Sequence, residues 1–313
     1  MTAVVAVTAA VTAASAVTAA VPAKAASGSV LILATSVNGG TASAEYQAAT
    51  ALGYTATVEP AATWDTLTTA DFQSYNAIII GDPSTTTCSS TVPSDALSTA
   101  ATWGAAVTGN VAVLGTAPAL GGGNKLIKDA ISYAASGSAT GLYVSLNCEY
   151  SAAAAGTDVT LLDQVEGGGF TVTGQGGNCP SAAGTVNTWE ALALTPFNGL
   201  TSGDVGPWAS PACSVQETLN SWPAGLAGGA YYTGATPATF TASDGATGQA
   251  YVVAGVSVPV ATAHLAMSIN GQVPSQAKLH QRRNHPGERD PRRRHPRRHR
   301  WYHRPCPRRS RGR

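Results

Sequence analysis

The chain has 313 residues, and 44% of them are hydrophobic, which is enough for a core and excludes a chain that is disordered throughout. Only 11% are charged, against about a quarter in an average soluble domain, and such low charge with many small polar residues is typical of exported proteins. The net charge of +1 hides a division, because residues 27–277 carry 15 acidic side chains and two lysines, so any nucleic-acid binding would have to come from the basic residues 278–313.

Residues 1–26 form a leader rich in Ala, Val and Thr. It ends in AKAAS at residues 23–27, which matches the small-residue cleavage site of a secretory signal peptide. The basic residues that usually begin such a peptide are missing, so either the start codon is placed too far downstream or the leader is merely of low complexity. We expect a secreted or extracytoplasmic protein. Threonines interrupt the apolar run, so no membrane span is expected.

The central feature of the pattern is the run YNAIIIGDPS at residues 75–84. Three consecutive isoleucines without polar alternation indicate a strand that is buried on both faces, as in a parallel α/β sheet. Similar runs predict five strands in all, at residues 30–36, 55–59, 78–80, 111–116 and 142–146. Because helices separate these strands, we predict a three-layer parallel sheet with right-handed crossovers.

Four helices are predicted between these strands. The first follows Thr41 or Ser43 as its cap and stops at Gly53, and a short second helix covers residues 69–73. The third is capped by Ser94, and its buried face is predicted to carry Leu97, Ala101, Gly104 and Val107. The fourth is capped by Asn124 and closed by Gly137, with a core stripe of Leu126, Ile127, Ala130, Ile131 and Ala134.

Beyond residue 148 the periodicity weakens into glycine-rich loops. Later strands are predicted at residues 229–234, 239–242 and 249–256, and the last is expected to rejoin the sheet. Three tryptophans of this half either fill a small second core or stack on sugar rings. They are Trp189, Trp208 and Trp222.

Four segments together resemble the class I glutamine amidotransferase-like superfamily, which has a flavodoxin-like fold. They are VLILATS at 30–36, YNAIIIGD at 75–82, VAVLGTAP at 111–118 and ATGQAYVVAGV at 246–256. More narrowly, SVNGG, AATWDTLTTADFQSYNAIIIGDP and ASPACSVQETLNSWPAG resemble the N-terminal module of large secreted proteins of high-GC bacteria, some with YD-type repeats. The resemblance covers roughly residues 29–256 and implies a fold but no activity.

The catalytic members of that superfamily need a cysteine nucleophile on the turn after one strand, together with a late histidine and an acid. Here Thr116 stands at the corresponding strand end, and His264 lies beyond the last predicted strand. A hydroxyl without an adjacent base is a weak nucleophile. No catalytic residue is therefore assigned, and the resemblance implies an inactive member.

Candidate ligand-binding residues follow the predicted strands, where the carboxyl ends of a parallel sheet form a crevice. They are Ser36, Asn38, Gly39, Asp82, Ser84 and Thr116. The alternative is structural: Asp82 before Pro83 organises a turn, and the glycines at 39 and 40 make a tight turn. No GxGxxG fingerprint is present, so no dinucleotide cofactor is expected.

Two weaker candidates lie later in the chain. Gly121, Gly122, Gly123 and Lys125 open a helix and could hold an anion, although the GK[ST] ending of a phosphate loop is missing. Glu149 and Glu190 could form a carboxylate pair for acid/base work on sugars, but their separation is not encoded locally.

Four cysteines lie in the body of the chain, at Cys88, Cys148, Cys179 and Cys213, and Cys306 lies in the tail. Since no CxxC spacing or nearby histidine accompanies them, two disulfides are expected rather than a metal site. Of the three pairings, we favour Cys88 with Cys148 and Cys179 with Cys213.

After residue 277 the composition changes abruptly to Arg, Pro and His. The segment is either a disordered basic arm for nucleic acid or an anionic polymer, or the product of a frameshift. In GC-rich DNA, Ala and Thr codons read one frame over encode Arg, His and Pro. The second interpretation predicts an open Ala/Thr/Pro-rich continuation in another frame.

The sequence therefore predicts a signal peptide (1–26), a glutamine amidotransferase-like α/β domain (27–260), a linker (261–277) and a basic disordered tail (278–313). The expected function is a secreted non-catalytic binding or spacer module of a larger extracellular protein. Its partners would be cell-surface carbohydrate or other domains of that protein, and no cofactor or metal is expected. The alternative is a hydrolase-like enzyme on carbohydrate or a small ester, using Asp82 or Glu190.

Overall fold

A computed structural model describes residues 28–85, 92–176, 185–186, 197, 199–206, 208, 215–233, 240–241, 245 and 247–256. All belong to the unit Met1–Ala261, one of two into which the chain divides; the other is Thr262–Arg313. Several predictions fall outside the described residues. They concern the leader, the linker, the basic tail, Cys88, Cys179, Cys213, Cys306, Trp189, Glu190 and His264.

All five predicted parallel strands are present. They are β1 (Ser29–Leu33), β2 (Thr55–Glu59), β3 (Ala77–Ile80), β4 (Asn110–Leu114) and β5 (Gly141–Ser145). Their order in the sheet is β2-β1-β3-β5-β4, and each neighbouring pair is parallel. The α/β class with a largely parallel central sheet is therefore confirmed.

The strand order differs from the 2-1-3-4-5 order of a flavodoxin-like sheet. Here β5 lies between β3 and β4, so β4 has a free side that is filled by a later strand. That strand is β12 (Thr247–Val256), which runs antiparallel to β4 with Val253 opposite Val113. The expected return of the last strand to the sheet is thus observed.

The second half of the chain extends the sheet with antiparallel strands. In chain order these are β6 (Thr157–Asp158), β7 (Thr171–Gly174), β8 (Thr185–Val186), β9 (Glu217–Ser221), β10 (Leu226–Tyr232) and β11 (Phe240–Thr241). Beyond β12 the sheet continues as β9-β7-β6, while β10 and β11 also pair with β12. Strands β10 and β11 match predicted strands, whereas the sequence pattern did not predict β7 and β9.

The helices are mostly short. They are α1 (Ala44–Ala51), α2 (Ala61–Trp64), α3 (Thr69–Gln73), α4 (Ser94–Ser98), α5 (Ala100–Gly104), α6 (Pro118–Gly121), α7 (Asn124–Ala135) and α8 (Ser202–Val205). Ser43 caps α1 by accepting a hydrogen bond from the backbone N–H of Tyr46 at 3.2 Å. In the part of the chain that is described, no helix has the length and apolar character needed to cross a bilayer.

The long stripe predicted on α7 is confirmed. All five of its residues, Leu126, Ile127, Ala130, Ile131 and Ala134, are completely buried. The cap was assigned wrongly by one residue, because Asn124 is already helical and Gly123 precedes it without a side-chain bond. The helix also ends at Ala135, before Gly137.

The third predicted helix is wrong in two respects. It is broken at Thr99 into α4 and α5, and Leu97 (46% exposed) and Ala101 lie on the surface instead of the buried face. Gly104 and Val107 are buried as predicted, together with Ala96, Ala100 and Trp103. The Thr99 hydroxyl explains the break, since it donates to the Asp95 carbonyl at 2.5 Å and competes with regular helix bonding.

Thr99 also provides the first testable prediction. Its Oγ1 accepts a hydrogen bond from the indole Nε1 of Trp64 at 2.9 Å, and Trp64 is completely buried. The isosteric substitution Thr99→Val leaves that donor unpaired and should lower the free energy of unfolding by about 1–2 kcal/mol. Urea unfolding checks this, with Ser98→Ala on the exposed side as the control. Equal midpoints for Thr99→Val and Ser98→Ala would contradict the assignment.

Two hydrophobic layers enclose the parallel strands. One face packs Val30, Ile32, Ile79 and Tyr143 against α1 and α7. The opposite face packs Leu31, Leu33, Ile78 and Ile80 with the large side chains Trp64, Phe72 and Trp103. The isoleucine run of β3 is thus buried on both faces, as predicted.

Candidate functional site

The carboxyl ends of β1 and β3 form the edge at which a ligand crevice is expected. These two strands are neighbours, and the chain leaves β1 toward β2 on one side but continues from β3 toward β5 and β4 on the other. Such a switch point is where open α/β sheets bind ligands. The predicted residues Ser36, Asp82 and Ser84 all lie at this edge.

Ser36 joins the ends of the two strands. Its hydroxyl donates to the Leu33 carbonyl at 2.8 Å and accepts from the Gly81 N–H at 2.9 Å. The residue is completely buried. Its hydroxyl is therefore engaged within the protein.

Asp82 is also completely buried, and both of its carboxylate oxygens accept backbone hydrogen bonds. Oδ1 accepts from the N–H of Ser84 at 2.9 Å, and Oδ2 accepts from the N–H of Leu120 at 3.1 Å. The first bond is the turn expected of an aspartate before a proline. The second joins the loop after β3 to α6, so Asp82 ties two strand ends together.

Glu45, on α1, is a member of this edge that the sequence reasoning missed. It is completely buried, and its Oε1 accepts from the N–H of Asp82 at 2.9 Å. The carboxyl lies directly on Gly81, where an added Cβ would stand 2.7 Å from Oε1. The sequence did carry a signal for its burial. Residues three and four positions apart lie on the same face of a helix, and Glu45 precedes the buried Ala48 and Ala49 by three and four positions.

The second oxygen of Glu45, Oε2, is buried with no hydrogen-bond partner among the described residues. Burial is the main reason that the pKa of Glu45 is raised to about 7, and the charge of Asp82 adds to it. The hydroxyl of Tyr143 on β5 is likewise buried and unpaired within the described part of the chain. Burial, followed by the charges of Glu45 and Asp82, raises its pKa well above the ordinary value. Glu45, Asp82 and Tyr143 thus form a buried polar cluster that extends inward from this edge of the sheet.

Asn38 and Gly39 are exposed, unlike the other predicted residues. Gly39 has a φ of 85° and starts a one-turn 3₁₀ helix (Gly40–Ala42), with its carbonyl accepting from the Ala42 N–H at 2.9 Å. The left-handed backbone explains the glycine without a ligand. The Asn38 side chain faces the surface beside this turn.

Thr116 is placed after β4 and is completely buried. Its carbonyl accepts from the Ser145 hydroxyl at 2.7 Å, while its own Oγ1 has no hydrogen-bond partner among the described residues. The described residues contain no histidine that could act as its base. Thr116 therefore lies at the edge of the sheet without the groups that would activate it.

No family model, curated protein or solved structure matches this chain. Within those residues, no three His, Cys, Asp or Glu side chains are arranged to hold a metal ion.

The glycine-rich helix start is covered by an indole ring. An added Cβ on Gly121 or Gly123 would stand 2.1 Å or 2.6 Å from ring atoms of Trp208. The Lys125 Nζ donates to the Asp204 carboxylate at 3.0 Å and to the Gly199 carbonyl. These contacts use the groups that an anion would need, so the geometry favours packing at this position.

A second group of acids lies beyond the carboxyl end of β5, on the opposite face of the sheet from α7. Glu149 interacts electrostatically here with Glu217, the first residue of β9, whereas its predicted partner Glu190 lies outside the described residues. Glu217 is completely buried, and within the described structure neither of its carboxyl oxygens has a hydrogen-bond partner. Burial, with a smaller contribution from the charge of Glu149, raises the pKa of Glu217 well above its ordinary value. No apolar alternation marks β9, because Gln216, Glu217 and Thr218 are all buried and Val215 and Leu219 belong to different hydrophobic layers.

Proposed function

We propose that this protein is a secreted, disulfide-braced, non-catalytic binding or spacer module of a larger extracellular protein. The observation that carries the proposal is the condition of the predicted crevice. The polar atoms of Ser36 and Asp82 are engaged in internal hydrogen bonds and completely buried, so they hold strand ends together. Residues used in this way are not free to bind or transform a substrate.

The basic side chains among the described residues support the same proposal. Hydrolytic sites depend on a proton carrier near neutral pH and on cations that stabilise developing negative charge. The described residues contain no histidine and no arginine, and their cations are Lys125 and Lys128. Lys125 is paired with Asp204. A nucleophile such as Thr116 would have no partner of either kind.

For the fold, we propose a glutamine amidotransferase-like sheet in which the positions of β4 and β5 are exchanged. The support is the switch point between β1 and β3 and the parallel strands β1, β3 and β4, which carry three of the four resembling segments. The fourth segment forms the antiparallel strand β12, which covers the open side of β4.

The pairing of Cys88 with Cys148 also belongs to this proposal. The Val92 N–H donates to Glu149 Oε2 at 2.7 Å, which places a residue four positions after Cys88 beside the residue that follows Cys148. Four residues span at most about 14 Å, so the chain can reach. Such a bridge would brace the loop after β3 and fits an exported protein.

A hydrolase acting on carbohydrate or a small ester is the alternative function. Asp82, one of its two proposed residues, is bonded on both oxygens, which disfavours this role. The observation in its favour is the proximity of Glu149 and Glu217, because two carboxyls in different environments can act as acid and base. Nucleic-acid binding would depend on the basic tail alone.

A turnover assay tests the non-catalytic proposal. The full-length protein is incubated with panels of chromogenic glycosides and short-chain esters, beside Glu149→Gln and Asp82→Asn. We expect no turnover above buffer for any of the three proteins. Turnover by the wild type that disappears in Glu149→Gln would overturn the proposal and establish the hydrolase. Loss in Asp82→Asn alone would instead locate the chemistry at the crevice.

A further inference from the structure

We propose that Glu217 and Glu149 form the polar base of a binding site for a neutral sugar, at the carboxyl end of β5 and the start of β9. This inference rests on the proposed binding function and locates its ligand away from the β1/β3 crevice. It is carried by a carboxyl group that the fold holds in place and leaves unpaired.

The backbone fixes Glu217 in the middle of the sheet. Its N–H donates to the Gly115 carbonyl at 3.3 Å, and it pairs with Gly174 of β7. The approach to β4 is so close that a Cβ on Gly115 would stand 2.3 Å from the Glu217 carbonyl oxygen. The carboxyl therefore cannot move to the solvent by a small shift of the strand.

The two oxygens of Glu217 differ from the polar atoms around them. The next residue, Thr218, donates to Gln249 and accepts from the Gln175 amide at 3.1 Å. Buried polar groups are nearly always paired in this way, because an unpaired one costs several kcal/mol. A carboxyl with two unpaired oxygens among paired neighbours indicates that a ligand or water completes it.

Glu149 and Tyr150 connect this buried acid with the surface. Both are only partly buried, and both follow β5 on the segment after Cys148. The Oε2 of Glu149 accepts from the Val92 N–H, and among the described residues no hydrogen bond engages its Oε1. Burial raises the pKa of Tyr150 to about 12, with smaller contributions from the charges of Glu149 and Glu217, while a hydrogen bond with the Thr160 side chain lowers it; the hydroxyl therefore keeps its proton beside Thr160. The electrostatic interactions among Tyr150, Glu149 and Glu217 indicate that the three side chains lie near one another.

The donors and acceptors present favour hydroxyl groups. Glu217 offers two oxygens without hydrogen-bond partners among the described residues, Glu149 offers acceptors, and Tyr150 offers a hydroxyl and a partly buried ring. A hydroxyl matches all of these because it both donates and accepts. Anions are disfavoured, since residues 27–277 carry a net charge of −13 and Lys125 belongs to a helix on the opposite face. A metal is disfavoured because the described residues hold no three-ligand group.

Binding measurements on the full-length protein test the proposal. The probes are neutral oligosaccharides of glucose, xylose and N-acetylglucosamine, with glucuronic acid and glucosamine as charged counterparts, measured by calorimetry and thermal shift. We expect one neutral series to bind, and Glu149→Gln to weaken that affinity at least about tenfold through loss of a charged hydrogen bond. Glu217→Met should abolish binding. Glu59→Gln, at the far edge on β2, should bind as the wild type does.

Loss of binding in these variants can be distinguished from loss of folding. Glu217→Met removes a buried unpaired acid and should unfold no more easily than the wild type, while Glu217→Gln keeps one donor and one acceptor and should retain weakened binding. Absence of neutral-sugar binding, binding of glucuronic acid or glucosamine alone, or undiminished binding by both Glu149→Gln and Glu217→Met would overturn the site. Turnover in the assay above would overturn the non-catalytic function and leave the site intact, so the two failures are distinguishable.

Discussion

The substitution Glu45→Gln should stabilise the protein above neutral pH and leave it almost unchanged in acid. Burial raises the folded-state pKa of Glu45 to about 7 from an ordinary value of 4.5. The folded protein therefore binds a proton more tightly than the unfolded chain does, and the free energy of unfolding falls as pH rises between these two values. The difference corresponds to about 3 kcal/mol, which is lost in full above pH 7.

The glutamine keeps the acceptor for the Asp82 N–H and cannot ionise. Urea unfolding at several values between about pH 4 and pH 8 measures the effect as the difference between variant and wild type. The variant must be compared with the wild type at each pH, because Glu217 also has a raised pKa. Its ionisation therefore also lowers the unfolding free energy of both proteins as pH rises. Glu59→Gln, at a partly buried position on the edge strand β2, is the control. Parallel curves for Glu45→Gln and wild type would show that Glu45 is not held in a desolvated site.

The substitution Asp82→Ala should cost the protein about 3–5 kcal/mol of unfolding free energy. It removes the acceptor of the buried Ser84 N–H and of the partly buried Leu120 N–H, and hydrogen bonds to a charged acceptor contribute about 1.5–3 kcal/mol each. Asp82→Asn should lie between alanine and wild type, because its amide can accept only one of the two bonds. Denaturant unfolding gives the free energies.

Asp65→Ala, on an exposed turn, serves as the matched control and should be close to neutral. A near-neutral Asp82→Ala would mean that the two backbone bonds contribute little. The crevice residue would then be available for ligand binding, and the structural role argued for it would be wrong. The result therefore decides between the two interpretations that the Gly-Asp-Pro sequence allows.

Local sequence patterns were sufficient for the parallel half of the fold. The isoleucines of β3 have no polar alternation, and the stripe of α7 repeats with the helical period, so each side chain reports whether its own position is covered. The turn at Asp82 was predictable for a similar reason, since the residues that shape it are adjacent. The α4/α5 break was missed because a threonine within a helical pattern does not show whether its hydroxyl bonds back to the helix; here the Thr99 hydroxyl donates to the Asp95 carbonyl and also accepts from Trp64, 35 positions away.

What the sequence determined by itself is therefore the set of elements: five parallel strands, the α7 face, and polar residues at strand ends. What only the tertiary structure decided is which elements become neighbours. Nothing local places β5 between β3 and β4, lays Glu45 on Gly81, or brings Glu217 beside Glu149. Hydrophobic periodicity records whether a side chain is covered, whereas pairing, strand order and a carboxyl's pKa depend on long-range contacts that form only when the whole chain has folded.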